Sequence, residues 1–244
     1  MRLYGELAGW FHLLTAPEDY AEEAAFYFAV FSELIGHMPK SCLELGSGGG
    51  NNASHYAKWV PEVVLTDLSE EMLAISKSIH PSVEHVLGDM RSLRLGRQFE
   101  AVFAHDACAY LTTEEDVRRL AEAAFIHCQP GGAAVFCPDA TAETLVFETD
   151  HGGHDGEHRG LRYLEWATPG RPGTYEYVIE YAYLLREDGK ATRVEYDRHI
   201  NGALPRAVWM DALADAGFEA GMRPLVHSEV PEGSYDVFTG RRPA

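Results

Sequence analysis

From Lys40 to Cys137 the chain repeats strand, turn and helix, and this rhythm restricts the fold more than any other feature. The largely apolar runs Cys42–Leu45, Val63–Asp67, Val83–Val86, Ala101–Ala104 and Ala133–Cys137 have strand length and end in turn residues. Helical spacing fills the gaps at Asn52–Lys58, Glu70–Ile79 and Glu114–Cys128. In the last, Thr112 and Glu115 are spaced for a capping box, and Val117, Leu120, Ala121, Ala124 and Phe125 form the inner face. Such alternation buries both faces of a parallel sheet under helices joined by right-handed crossovers, so the expected class is a doubly wound α/β fold.

Different patterns flank this core. Ahead of it, Leu3–Leu14 predicts a short helix, and Thr15–Asp19 is a helix start with Pro17 in its first turn. Tyr20, Ala24, Tyr27, Phe28, Phe31, Leu34 and Ile35 then recur at helical spacing until Gly36. Behind the core, Leu161–Trp166, Tyr175–Leu185 and Thr192–His199 read as antiparallel strands, with a hairpin turn over Glu187–Lys190. Pro205 opens a helix that Gly217 ends, and Glu219–Val226 and Tyr235–Gly240 return to the main sheet. The expected organisation is one domain, 1–244: a helical cover (1–37), a ligand-binding core (38–140), a loop with an antiparallel insert (141–204), and a last helix with closing strands (205–244). That length suits one large core.

Three elements at successive strand ends point to a nucleoside ligand. Glu44-Leu45-Gly46-Ser47-Gly48-Gly49-Gly50 follows the first strand and opens a helix, where glycines admit close backbone approach and helix amides favour a carboxylate. Asp67 ends the second strand, 21 residues after Gly46, where a carboxylate can take both ribose hydroxyls. Gly88-Asp89-Met90 follows the third, with Asp89 placed to accept from an adenine amino group and Met90 to cover the ring. A dinucleotide fingerprint would need a glycine where Asn51 stands. Glu44 also sits poorly beside a pyrophosphate, whereas it suits the ammonium of an amino-acid tail. The residues therefore favour a sulfonium nucleoside over NAD.

Glu44-x-Gly46-x-Gly48-x-Gly50, Asp67 and Gly88-Asp89-Met90 resemble the successive cofactor motifs of class I S-adenosyl-L-methionine-dependent methyltransferases. The resemblance runs from about Met38 to Cys137. It implies a seven-stranded Rossmann-like sheet in the order 3-2-1-4-5-7-6 with strand 7 antiparallel, and S-adenosyl-L-homocysteine as product. It also implies Glu44 and Gly46 near the methionine moiety, Asp67 on ribose, and Asp89 with Met90 at adenine. Ser47, Gly48, Leu68 and Met72 complete the expected cofactor set. The whole chain is similar to small-molecule N-methyltransferases that dimethylate deoxyamino sugars in natural-product pathways, in which N-terminal helices and an antiparallel insert roof the acceptor pocket. That similarity makes Tyr20, with Tyr4 behind it, the candidate for reaching the cofactor's carboxylate. It departs after strand 4, where those enzymes tend to carry a histidine and this chain has His105-Asp106-Ala107-Cys108-Ala109-Tyr110, with Tyr110 near that place.

Strand 4 ends over the cofactor in this fold, so His105 is expected beside it and Asp106 or Tyr110 is expected to orient the acceptor. A small molecule accepting at nitrogen, or at oxygen, is the expected partner. With 20 Lys plus Arg against 38 Asp plus Glu, a net charge of −18 repels phosphate backbones and anionic lipid. Nucleic acid and membrane are thus excluded as partners, and no run reaches the roughly 20 apolar residues of a membrane span. Cys42, Cys108, Cys128 and Cys137 lie in apolar contexts without CxxC spacing, as reduced thiols of a cytoplasmic protein, monomeric or homodimeric. His151, His154 and His158 fall in a glycine-bearing loop that reads as pocket-lining or gating and not as a metal site. Competing readings are a non-catalytic cofactor-binding sensor and an NAD-dependent oxidoreductase.

Overall fold

The computed structural model describes residues 1–231 and 233–244. Five parallel strands form the core: β1 (Ser41–Leu45), β2 (Glu62–Asp67), β3 (Glu84–Leu87), β4 (Phe99–Ala104) and β5 (Cys128–Phe136). Two later strands, β10 (Glu219–Pro224) and β11 (Asp236–Arg241), pair antiparallel with each other, and β11 pairs antiparallel with β5. The spatial order is β3-β2-β1-β4-β5-β11-β10, which is the expected seven-stranded order with its antiparallel seventh strand.

Strand alternation sends neighbouring side chains of β1 to opposite layers. Leu43 and Leu45 join Val64, Val102 and Phe136 beneath α5 (Glu114–His127) and α6 (Arg206–Ala216). Cys42 faces the other way, with Leu65 and Phe103, toward Tyr27, Phe28 and Phe31 of α2 (Ala21–Ile35) and Tyr56 of α3 (Ala53–Tyr56). Burial on both faces leaves Glu44 a polar side chain in the sheet centre, so its partner must come from the helix layer or from a ligand.

Local chemistry explains the element ends. Ser69 starts α4 (Glu70–Ile79) by accepting from the Met72 amide at 3.1 Å. For α5 the cap is Thr113, not the expected Thr112: its hydroxyl accepts from the Asp116 amide at 3.1 Å, so the motif closes one residue later. The helix after the glycine turn spans only Ala53–Tyr56, shorter than the predicted Asn52–Lys58. Leu3–Leu14 is likewise not one helix. Turns and a single 3₁₀ turn (Ala8–Trp10) precede the four-residue α1 (Phe11–Leu14).

The insert is a four-stranded antiparallel sheet: β6 (Thr149–Gly152), β7 (Arg159–Pro169), β8 (Glu176–Glu187) and β9 (Arg193–Gly202). Its inner face packs Leu161, Tyr183 and Leu185 on Leu3, Leu7 and Trp10 of the N-terminal cover. The two covers therefore close over the sheet as one unit. Among the described residues, no helix is long and apolar enough to cross a membrane.

Candidate active site

A cleft of about 540 Å³ opens at the C-terminal edge of the parallel strands. It is lined by Glu44, Gly46, Ser47, Gly48, Asp67, Leu68, Asp89 and Met90 on one side, and by Tyr20, His105, Asp106 and Tyr110 on the other. Twelve of the thirteen expected site residues thus meet in one place. Met72 is the exception: it is 1% exposed and packs under the glycine turn, its methyl 3.8 Å from where a Cβ on Gly48 would lie.

Asp67 organises the β1 and β2 ends of the cleft. One carboxylate oxygen accepts from the Gly48 amide at 2.9 Å and the other from the Ser69 amide at 2.8 Å, tying the glycine turn to the end of β2. Burial raises its pKa above the usual carboxylate range, against the pull of those amides. Gly46 has φ of +73°, and a Cβ there would lie 2.2 Å from the Cβ of Ala107. The turns after β1 and β4 touch at that point, and only glycine fits it.

Glu44 is 3% exposed and accepts from the Tyr56 hydroxyl. Burial pushes its pKa up to about 7, with the Tyr56 hydrogen bond opposing. Around it, Ser47 Oγ, Asn51 Oδ1 and Asn52 Oδ1 are buried without partners among the described residues, and all three residues line the cleft. Such orphaned acceptors carry a desolvation cost that an ammonium-bearing ligand relieves. The zwitterionic end of S-adenosylmethionine fits this donor and acceptor set.

Asp89 lines the cleft but is also gripped by Arg91, whose guanidinium meets both carboxylate oxygens at 2.7–3.2 Å and Asp116 at 2.8 Å. Arg91 holds Asp89 below its ordinary pKa. The sequence reading missed Arg91, although its place two residues after Asp89 was visible.

On the opposite side, His105 stacks on Phe103 and is held between Glu23 (3.3 Å) and Asp106 (2.8 Å). Burial opposes its protonation, but Asp106 and Glu23 outweigh burial and raise its pKa well above the imidazole range. Asp106, with its side chain 54% exposed, also accepts from the Tyr20 hydroxyl at 3.2 Å. The Tyr110 hydroxyl lies 2.7 Å from that of Tyr4 and 2.9 Å from His199 Nδ1, and His199 Nε2 lies 3.1 Å from Asp197. Burial lowers the His199 pKa, so the ring is neutral; with Nε2–H donated to Asp197, Nδ1 accepts from Tyr110. Tyr110 therefore donates to His199 and accepts from the Tyr4 hydroxyl. Asp139, Tyr181 and Asn201 line the same cleft and were not foreseen.

The histidines of the 151–158 loop diverge. His154 pairs with Asp19 at 3.1 Å and its amide donates to Leu13 O, whereas His158 faces Asp188 at 3.4 Å. Gly152, Gly153 and His154 line a recess of about 400 Å³ that shares Leu14, Thr15 and Tyr181 with the main cleft.

Residues 42–132 match the family described as "Methyltransferase domain". The chain is 32% identical over 133 residues to the dTDP-3-amino-3,4,6-trideoxy-alpha-D-glucopyranose N,N-dimethyltransferase of Streptomyces venezuelae, covering 53% of this chain and 54% of the relative. It is 27% identical over 188 residues to the dTDP-4-amino-2,3,4,6-tetradeoxy-D-glucose N,N-dimethyltransferase of Saccharopolyspora spinosa, covering 76% and 74%. The chain spans about half the length of the two Streptomyces relatives it matches. The crystal structure of Streptomyces venezuelae DesVI superposes with a TM-score of 0.84 at 25% identity, over 99% of this chain and 98% of that one. The same fold occurs in an amino pentose methyltransferase from Micromonospora echinaspora solved with bound SAM, at a TM-score of 0.77 and 23% identity, over 91% of each chain. Outside residues 42–132, the insert and N-terminal cover thus have counterparts in a solved structure.

Proposed function

We propose that this protein is an S-adenosyl-L-methionine-dependent methyltransferase that transfers a methyl group to the nitrogen of a small molecule and releases S-adenosyl-L-homocysteine. One observation carries the reading: Glu44, Asp67 and Asp89, from three successive strand ends, line a single cleft opposite Asp106 and Tyr110. The bound cofactor supplies a methyl group on positive sulfur. Glu44 and the unpaired oxygens of Asn51 and Asn52 hold its ammonium, Asp67 takes the ribose hydroxyls, and Asp89 and Met90 border the adenine. Tyr20, fixed by Asp106 and by Thr15 at 3.1 Å, stands at the tail end. Asp106 and Tyr110 present acceptors that orient an amine in line with the methyl carbon, and alignment of this kind contributes up to about 7–11 kcal/mol.

Nitrogen is favoured over oxygen by the state of His105. Locked between two carboxylates, it is protonated at neutral pH and cannot serve as the general base that a hydroxyl acceptor more often requires. A neutral amine needs no such base. The four cysteines are free and buried, which fits a reducing compartment, and we place the protein in the cytoplasm.

Calorimetric titration with S-adenosylmethionine, followed by a mass-spectrometric product assay on a panel of amines and phenols, tests the proposal. Cofactor binding with methylation of at least one amine is the expected result. Binding without turnover across the panel would favour a sensor, and binding of NAD in place of the sulfonium nucleoside would overturn the reading.

The pH dependence of cofactor binding should report Glu44. Its raised pKa means the empty protein takes up a proton there near pH 7, and that proton must leave before an ammonium can be held. Affinity is expected to plateau above about pH 8 and to fall toward tenfold per pH unit below about 7. The sign for stability is reversed. A raised carboxylate pKa stabilises the unliganded fold at low pH, and that contribution is lost as pH rises through about 7. Thermal stabilisation by cofactor should therefore be larger at pH 8 than at pH 6. Glu44→Gln should flatten both profiles; profiles that keep their slope in this variant would remove Glu44 from the tail site.

A further inference from the structure

We propose that the acceptor is a small, cationic, unphosphorylated amine rich in N–H and O–H donors, and not a sugar carried on a nucleoside diphosphate. The inference rests on the methyltransferase reading and names the substrate class of that site. It departs from the nucleotide-linked amino sugars in the names of the relatives.

The chamber beyond the methyl-transfer end offers acceptors almost throughout. Asp139 follows β5 into the cleft and makes no hydrogen bond or ion pair among the described residues. Asn201 on β9 is 2% exposed; its amide nitrogen lies 3.4 Å from the Tyr177 hydroxyl, and its Oδ1 has no partner. Past Tyr181 the cleft joins the recess that contains Asp19 and Glu165. Glu165 is partly buried, and burial raises its pKa. Burial and repulsion from Asp106 raise the Asp139 pKa well above the carboxylate range, a penalty on its ionisation that a bound cation would relieve.

Basic side chains on these walls are already committed. His105 lies between Glu23 and Asp106, and His154 on Asp19. Arg91 sits at the nucleoside end on Asp89 and Asp116. A diphosphate brings two or more negative charges and only acceptor atoms, so it would meet carboxyl groups and an orphaned carbonyl, with the Met1 amino terminus the one uncommitted cation among the described lining residues. An ammonium with hydroxyl or amino neighbours matches every one of these groups, and Tyr4, Tyr110 and Tyr181 supply aromatic faces suited to a cation.

The chemistry balances within the same set of groups. As the cation binds, the Asp139 carboxyl proton leaves to solvent; the ammonium then passes one proton to Asp139, giving a neutral amine and the carboxylic acid that burial favours. The nitrogen lone pair then forms the N–C bond as the C–S bond breaks, and its electron pair stays on sulfur. The products are a methylammonium and a neutral thioether.

The test uses the full chain loaded with S-adenosylhomocysteine, titrated calorimetrically with glucosamine, 2-deoxystreptamine and spermidine, and separately with thymidine diphosphate. At least one free amine is expected to bind with a Kd below about 1 mM, weakening as salt is raised. Thymidine diphosphate is expected not to bind. Asp139→Asn and Glu165→Gln should each weaken amine binding by about tenfold, that is about 1.4 kcal/mol, with S-adenosylhomocysteine affinity unchanged as proof of folding. Thymidine diphosphate binding more tightly than the amines, no amine binding at all, or variants indistinguishable from the parent would each overturn the proposal. Failure to load S-adenosylhomocysteine would instead count against the methyltransferase reading, so the two failures are distinct.

Discussion

Replacing Asp67 by alanine is expected to weaken S-adenosylmethionine binding by at least about 100-fold while the sheet and helices remain. The carboxylate does two jobs at once. Its oxygens hold the Gly48 and Ser69 amides, and its remaining lone pairs face the cleft where the ribose hydroxyls are assigned. Removing it leaves two backbone donors without a partner, at roughly 1–3 kcal/mol for each one that stays buried. It also removes two charge-assisted hydrogen bonds to ligand, worth roughly 1.5–3 kcal/mol each. These terms are not additive, because a loosened glycine turn loses both together. Half of the sum taken at mid-range, about 4 kcal/mol, exceeds the roughly 2.7 kcal/mol that corresponds to 100-fold. Calorimetric titration checks it; an affinity within a few-fold of the parent would show that Asp67 serves only the turn. Asp67→Asn gives a finer comparison, since its oxygen can keep one amide but its NH₂ opposes the other.

The nucleoside half of the site was legible in the sequence because its chemistry is local. Each residue there lies within a few positions of a strand end, so strand, turn and polar residue appear as one contiguous signal. Glu44, Asp67 and Asp89 are all of this kind. Partners drawn from other elements were not legible. Glu23 reaches His105 from α2, and His199, held by Asp197, reaches Tyr110 from β9, and no spacing rule links them. The strand β6 was hidden for a different reason. Thr149-Asp150-His151-Gly152 is short, polar and at the edge of the insert, and its strand character comes from pairing with Tyr163–Trp166 and not from its own propensity. One signal was available and unused: Asp139 comes soon after the fifth strand, as Asp67 and Asp89 do after theirs.

The unliganded structure also implies a division of labour between the covers and the sheet. On the proposed reading the sheet edge carries fixed groups for the cofactor, whereas the acceptor chamber is assembled from the N-terminal segment, the β4 turn and the insert. Tyr4 links all three through Tyr110 and His199, and its backbone carbonyl accepts from Ser69 at the cap of α4. Acceptor specificity can therefore change through the covers without disturbing the nucleoside contacts.

Gly46→Ala is expected to reduce kcat/KM by at least about 100-fold, measured with whichever amine the product assay identifies. The added methyl would sit 2.2 Å from the Cβ of Ala107, and both atoms are fixed to backbone, so no side-chain rotation relieves the contact. Restoring an ordinary separation of about 3.5–4 Å moves one turn by more than 1 Å. Ala107 lies in the turn Asp106–Tyr110, which carries both acceptor-orienting residues and follows His105. Misplacement of about 1 Å costs on the order of 100-fold in rate. The left-handed backbone adds a further cost of roughly 1–2 kcal/mol in stability, and Gly96→Ala isolates that part: Gly96 has φ of +70° with nothing within 4 Å of its Cβ position. Gly96→Ala should lower thermal stability and leave kcat/KM near the parent value. Pairing Gly46→Ala with Ala107→Gly removes the opposing methyl and should recover much of the lost activity. If the double variant stays as slow as Gly46→Ala alone, contact between the two turns is not what places the acceptor, and backbone strain at Gly46 must account for the loss.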